Sequence, residues 1–382
     1  MQYEKDNFFN IDVNMTEQCS LRCKYCIENF KKPVLKNISN EQIEKIKNKI
    51  DFLLESAEFR KLYNGIGIFF WGGEPTLNFD GMKSFIEYYK NNNRVQFYIY
   101  SNGYKLNHLY EYLKEIQNLK VVTGNRKISL QISYDGLASH NIDRVNINGK
   151  GSALKVKQTM FELKDFGVDF HIHPTLAFKN FDKIADNYLE FERLSKTLDD
   201  DIIYNPTIDY LSDHNFTFEE LENIKKIITQ QIKKIKPNLI EYYKKYGIFN
   251  LGWLNESKSL CGAGFGMQAI DIDGSVYPCH GVMNSSKKLE TSNLEKTNEE
   301  YLEDIIDNYY KFKEAAHNIP KECKECYSTY CMKCNSKKYE LSNKEFKEAW
   351  SDYPNQPHLC EVYRHFTILR FALLKLIEKS NI

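Results

Sequence analysis

Ten cysteines are spread unevenly over 382 residues, and the first three form a tight array: Cys19, Cys23 and Cys26, spaced C-x3-C-x2-C within CSLRCKYC. Three thiolates on one short loop can hold three irons of a cubane iron–sulfur cluster and leave the fourth iron open to a small molecule. That suits chemistry as well as electron storage. A structural zinc or disulfide knot is the plainer use of clustered cysteines. A second stretch, WGGEPTL at residues 71–77, sets the bare backbone of Gly72 and Gly73 beside the carboxylate of Glu74, so that a ligand can lie close to the chain. Further on, YSNGYKL carries Ser101 and Asn102, and QISYDGLASHNIDR carries Ser133, Asp135 and Arg144. Ser133 and Asp135 are two apart, so on a strand both point to one face, in reach of a diol. His171 and His173 share a strand face in the same way, suited to a substrate cavity or to a hydrogen-bonded core pair.

The scaffold that must bring these residues together is legible in the alternation of patterns. Between residues 8 and 210, short β-favouring runs (8–14, 67–71, 95–100, 128–133, 168–173 and 202–206) alternate with amphipathic stretches near 40–57, 79–91, 107–118, 152–166 and 181–195. Apolar residues in these stretches recur at helical spacing, as in Ile43, Ile46 and Ile50. Six βα units predict an α/β fold, a partial, open (β/α)6 barrel of the TIM type. In such a barrel the loops after the strands gather at one end, where chemistry is done. The array of Cys19, Cys23 and Cys26 follows the first strand, so it belongs at that end.

After residue 210 the alternation stops. Two Lys- and Glu-rich helical stretches, 216–235 and 237–247, lead to the other seven cysteines: Cys261, Cys279, Cys323, Cys326, Cys331, Cys334 and Cys360. Asp273-Gly274 is a hairpin signal between two alternating strands, which returns Cys279 toward Cys261. The central four are spaced C-x2-C-x4-C-x2-C, a pattern that zinc could also use. The expected organisation is a barrel over 1–215, a helical bridge over 216–260, a cysteine-rich domain over 261–363 and a C-terminal helix over 364–382.

Composition narrows the class of function. Lys plus Arg (52) balances Asp plus Glu (52), so the overall field favours neither nucleic acid nor an anionic membrane as partner. With 42% hydrophobic residues the chain can bury a large core. The beginning, MQYEKDNFF, lacks the basic-then-apolar pattern of an export signal, and no run is long enough to span a bilayer. The expected location is cytoplasmic, where thiols stay reduced and ten cysteines argue for metal or redox sites.

The C-x3-C-x2-C array with Tyr25 before its last cysteine, the GGE stretch and the SYDG segment together resemble the radical S-adenosylmethionine (radical SAM) superfamily. The seven later cysteines resemble the SPASM domain that extends many of its members; Cys261, Gly274 and Cys279 match its opening pattern. The resemblance spans nearly the whole chain. It implies a [4Fe-4S] cluster on Cys19, Cys23 and Cys26 whose open iron chelates SAM. It further implies SAM contacts from Tyr25, Gly72, Gly73, Glu74, Ser101, Asn102, Ser133, Asp135 and Arg144, and two auxiliary [4Fe-4S] clusters. Cys323, Cys326, Cys331 and Cys360 would hold the distal cluster, and Cys261, Cys279 and Cys334 the proximal one, with one iron lacking a cysteine. The gaps within the central group are narrower than is usual in that domain. The implied activity is reductive cleavage of SAM to a 5′-deoxyadenosyl radical that takes hydrogen from a peptide or protein, fed by an external flavodoxin- or ferredoxin-type donor. Maturation of ribosomal peptides is the first expectation and sulfatase maturation the alternative. In sulfatase maturases an aspartate base follows the cysteine of the YPC segment, where this chain has His280. An iron–sulfur electron carrier without radical chemistry is the expectation from another class.

Overall fold

The computed structural model describes residues 8–28, 35–120, 126–209, 216–259, 261–283, 289–317, 321–332 and 357–380. The first strand, β1 (Phe8–Thr16), reads FFNIDVNMT. Its period of two sends Phe9, Ile11, Val13 and Met15 into the main hydrophobic core and leaves Asp12 and Asn14 on the opposite face. A short β2 (Leu21–Cys23) carries the second cysteine. The central strands β3 (Gly65–Gly72), β4 (Val95–Ser101) and β5 (Ile128–Ser133) follow, then β6 (Arg144–Asn146) and β7 (His171–His173). Strands β1, β3, β4, β5 and β7 lie side by side in that order and all in parallel. Helices Asn40–Glu55, Phe79–Tyr89, Tyr110–Ile116 and Ala153–Phe166 make the crossovers. Parallel pairing needs such crossovers, and they bury the outer face of the sheet. Ile46, Ile50, Phe85 and Leu163 are fully buried there.

The barrel stays open, and proline decides where it weakens. The fifth strand, expected over 168–173, begins only at His171 and ends where expected, before Pro174, which has no N–H to give the ladder. The chain resumes as β8 (Thr175–Leu176), which pairs in parallel with β9 (Thr207–Ile208). The sixth strand expected over 202–206 is reduced to one bridge from Tyr204 to Leu251; Pro206 interrupts it, and the pairing begins one residue later. The helix Ile184–Leu198 lies between the two strands of this pair.

The two helical stretches expected on either side of residue 236 are one helix, Phe218–Tyr246, with Pro237 inside it. Thr217 and Glu220 form a capping box at its start. Ile235 and Leu239, both fully buried, hold the two halves in line against the core. In the C-terminal third, β10 (Ser257–Ser259) is followed by β11 (Met267–Ile270), β12 (Ser275–Tyr277) and β13 (Ser292–Asn293). The expected hairpin forms at Asp273-Gly274, with Gly274 at φ 89°. It is not set apart from the barrel: β11 pairs in parallel with β1, Asn10 opposite Met267 through Val13 opposite Ile270. One eight-stranded sheet therefore runs from β13 through β1 to β7.

The helix Asn298–His317 covers this extension, and β14 (Tyr330–Met332) pairs with β10, Lys258 opposite Cys331. The final helix, Pro357–Ser380, runs unbroken through residues 363 and 364 and holds Cys360 in its first turn. It packs Phe366 on Trp253 and Tyr363 on Tyr330. No described helix is long and apolar enough to cross a membrane.

Candidate active site

The loop after β1 is fastened on two sides. On one, the Gly73 N–H donates to the Thr16 carbonyl at 2.7 Å and the Glu74 N–H to the Gln18 carbonyl at 2.7 Å. On the other, β2 pairs antiparallel with β6, Cys23 opposite Arg144, and the Lys24 N–H donates to the Asp143 carbonyl at 2.9 Å. Gly72 sits at φ 124°, and a Cβ on Gly73 would run into the Gln18 carbonyl. Both positions require glycine.

Cys19, Cys23 and Cys26 open onto one cavity of about 390 Å³, walled also by Trp71, Gly72, Gly73, Tyr100, Ser101, Asn102, Gln131, Ser133, Arg144, His173 and His280. It lies at the C-terminal ends of β1, β3, β4 and β5, as expected. Burial pushes all three thiols up, Cys19 to about 12, with the Glu74 charge adding to the effect. A cation must displace those protons to make thiolate ligands. The three sulfurs feel one another's charge, yet among the described residues no three acids, histidines or cysteines converge on a single-ion centre. The indole N–H of Trp71, in the same wall, is buried without a hydrogen-bond partner among the described residues. The thiol set, the glycine cradle and this orphaned donor fit a cluster with a small polar ligand beside it.

Several residues named from sequence are placed differently from that expectation. Glu74 is turned into the protein: Thr76 and Ser101 hydroxyls donate to its Oε1 at 2.7 and 3.0 Å, and the Asn102 N–H donates to Oε2 at 2.7 Å. Burial raises its pKa against these hydrogen bonds. It does not line the cavity. Its effect is to set Asn102, whose Nδ2 reaches the Cys19 sulfur at 3.4 Å. Ser133 faces the cavity but Asp135 does not, because β5 ends at Ser133 and the alternation ends with it.

Asp135 is fully buried, and its oxygens are already engaged. Oδ2 accepts from the Tyr25 hydroxyl at 2.5 Å and from Arg144 Nε at 2.9 Å, and Oδ1 accepts from the Thr175 N–H at 2.8 Å. Burial would raise this carboxyl; Arg144 and the hydrogen bonds outweigh it and hold it below the usual range. Asp135 is therefore not available to grip a ribose diol, and Arg144 reaches the cavity already paired. His173 lines the cavity and meets the Thr207 hydroxyl at 3.1 Å, while His171 is exposed.

His280 lies across the cavity, from the extension beyond β12. Its Nδ1 is 2.6 Å from Asp12 Oδ2, and its ring stacks on Trp71 at 4.3 Å. Burial disfavours the imidazolium, but Asp12 prevails and raises its pKa. Sequence reasoning missed Asp12, Trp71, Tyr100 and Gln131. The signal for Asp12 was available: an acid amid apolar residues on a central strand, on the same face as Asn14, whose Nδ2 donates to Asp271 Oδ1 at 2.9 Å.

Among the later cysteines, Cys360 feels the charges of Cys331, Cys323 and Cys326 while burial pushes it up to about 12. The three thus lie near enough for their charges to act on Cys360. Cys261 and Cys279 pack on one small apolar cluster with Val282 and Phe312. Cys334 lies outside the described residues.

An open parallel barrel with three thiols after its first strand, continued by a cysteine-rich extension, defines the class. Residues 13–189 match the Radical SAM superfamily, and residues 261–327 match the SPASM iron–sulfur cluster-binding domain. The chain thus carries a radical SAM domain and a SPASM domain. An uncharacterised protein of Methanocaldococcus jannaschii is 33% identical over 180 residues, 46% of this chain and 55% of that one. The radical SAM cyclopropyl synthase TigE of Paramaledivibacter caminithermalis is 23% identical over 295 residues, 71% of this chain and 57% of that one. This chain thus spans little more than half the length of both relatives. In fold it is similar to anSMEcpe with bound AdoMet (TM-score 0.71, 16% identity, 98% of this chain and 96% of that one). It is also similar to Streptococcus suis SuiB bound to S-adenosylmethionine (TM-score 0.53, 13% identity, 89% and 76%).

Proposed function

We propose that this chain is a radical SAM enzyme that cleaves S-adenosylmethionine reductively and takes hydrogen from a peptide or protein side chain, as in the cross-linking of a ribosomal peptide. The observation that carries the reading is the shared opening of Cys19, Cys23 and Cys26 with the Gly72–Gly73 backbone onto one cavity. Bound there, the cluster and SAM supply one electron and a carbon-centred radical. The rest falls to the protein. Gly72, Gly73, Ser101, Asn102 and Ser133 form the wall that receives SAM, and Glu74 acts through Asn102. Tyr25, Asp135 and Arg144 hold the cluster loop. His280 takes a proton from the substrate, with Asp12 stabilising the imidazolium that forms.

Cys323, Cys326, Cys331 and Cys360 would hold one auxiliary [4Fe-4S] cluster. Cys261, Cys279 and Cys334 would hold a second, leaving one ligand position for a substrate thiolate. The reductant is a flavodoxin- or ferredoxin-type protein, and the compartment is the cytoplasm. TigE is named as a radical SAM cyclopropyl synthase, which supports the radical SAM chemistry; anSMEcpe, similar in fold, has been crystallised with the Cp18Cys peptide, which supports a peptide substrate here. A second reading, oxidation of a sulfatase residue, is weakened by His280 standing directly after YPC where that family carries an aspartate, and is kept open by Asp12 beside that histidine.

The test is anaerobic reconstitution with iron and sulfide, then addition of dithionite and SAM. 5′-Deoxyadenosine is expected, and its loss on Cys26→Ala. Intact clusters with no nucleoside product would turn the reading to an electron carrier.

A further inference from the structure

We propose that Arg144 is a positioning residue that sets the reduction potential of the cluster on Cys19, Cys23 and Cys26, with Asp135 and Tyr25 bracing it against the Cys23 sulfur. The inference rests on the reading of those three cysteines as cluster ligands. The register of the β2–β6 ribbon is what brings the two residues together, since Cys23 is directly opposite Arg144 and such partners lie about 5 Å apart. Arg144 and Cys23 line the same cavity, and the guanidinium charge acts on the Cys23 thiol in the sense that favours its thiolate. Its Nε is committed to Asp135, and its carbon lies 5.3 Å from the centre of the Tyr25 ring. The Tyr25 hydroxyl closes the triangle on the same carboxylate oxygen.

Arg144 and Asp135 are both buried. A buried ion pair is a poor source of stability because desolvation opposes the attraction, so a further role is called for. Arginine has five donors in a fixed fork; with one tied down, the rest can be aimed. The other cysteine contacts differ in kind: Cys19 receives only neutral donors, the Leu21 N–H and Asn102 Nδ2. Among the described residues, Cys23 is the one of the three thiols on which a cation acts strongly. Hydrogen bonds and positive charge at a ligand sulfur favour the reduced cluster and raise its potential. The Asp135 charge behind the cation works in the opposite sense, and it keeps the fork from swinging away.

The test is an EPR-monitored redox titration of the full-length, anaerobically reconstituted protein. It follows the signal that SAM perturbs and that Cys26→Ala abolishes. Arg144→Gln is expected to lower that cluster's potential, a tenfold shift of the reduction equilibrium being about 59 mV for one electron. Arg144→Lys should recover part of the shift, and Asp135→Asn should move it the other way. A merely structural brace would loosen the loop in both variants and move both potentials in the same direction. Equal potentials in wild type and Arg144→Gln, or same-sign shifts in Arg144→Gln and Asp135→Asn, overturn the inference. Where Asp135→Asn does not load, the order of wild type, Lys and Gln decides alone. A protein with no signal sensitive to both SAM and Cys26 overturns the reading of the site itself.

Discussion

His140 shows how far the site's scaffolding extends beyond the residues that face the cavity. It is fully buried behind Asp135, accepts that residue's N–H on Nδ1 at 3.3 Å, and meets the Ser152 hydroxyl with Nε2 at 2.9 Å. Burial lowers its pKa from the usual 6.5 to about 3, against the attraction of Asp135. Linkage follows directly. Between pH 6.5 and about 3 the unfolded chain binds a proton that the folded chain refuses, so stability falls as pH drops through that window. Thermal unfolding of wild type at pH 7 and at pH 5 should show a loss that is smaller in His140→Gln. Equal pH dependence in the two would mean that this imidazole is not the group responsible. His280 was named from sequence as a base; the structure supplies its partner, Asp12, from a strand 268 positions away. No sequence period connects them.

The turn after β3 is the element on which the site depends most closely. Its two backbone hydrogen bonds to residues 16 and 18 hold the chain just before Cys19, so a side chain there acts on the cysteines directly. Gly73→Ala would push the Gln18 carbonyl and the loop behind it. Iron per chain should fall and SAM cleavage should be lost, measured by iron analysis and nucleoside assay. Normal iron with normal cleavage would show that the loop accommodates the methyl group.

The helix Phe218–Tyr246 allows two independent tests of its geometry. Thr217→Ala removes the capping box and should cost about 1 kcal/mol in thermal or denaturant unfolding. Pro237 is exposed in mid-helix, so Pro237→Ala should restore a backbone hydrogen bond and add up to about 3 kcal/mol. Destabilisation by the second change would mean that the helix is bent there for a reason of packing.

At the scale of the whole molecule, the C-terminal third is joined to the barrel through its sheet. Pairing of β11 with β1, the Asn14–Asp271 hydrogen bond and the Asp12–His280 contact all cross from the first strand to the extension. The cavity is thereby walled from both ends of the chain. The group around Cys360 lies elsewhere, beneath the final helix. Cys360→Ala should then lose iron equivalent to one auxiliary cluster, roughly four atoms per chain, while SAM cleavage without peptide persists. Loss of both together would show that the auxiliary group supports the barrel.

The sequence by itself determined what local chemistry and short periods can specify. Cysteine spacing, the glycine pair, the alternation of β1 and the Asp273-Gly274 turn depend on residues close along the chain, and all were legible. Only the tertiary structure decided where the strands end and what faces what. The sixth expected strand shrinks to one bridge at Tyr204, and Ile235 and Leu239 carry a helix through Pro237. Asp135 turns away from the cavity as soon as β5 stops, and a hairpin near residue 270 completes a sheet begun at residue 8. The reason is common to all of these. A side chain's direction is local only while its element lasts; beyond the element's end, or across to another strand, it is fixed by packing and by hydrogen bonds to partners that sequence distance conceals.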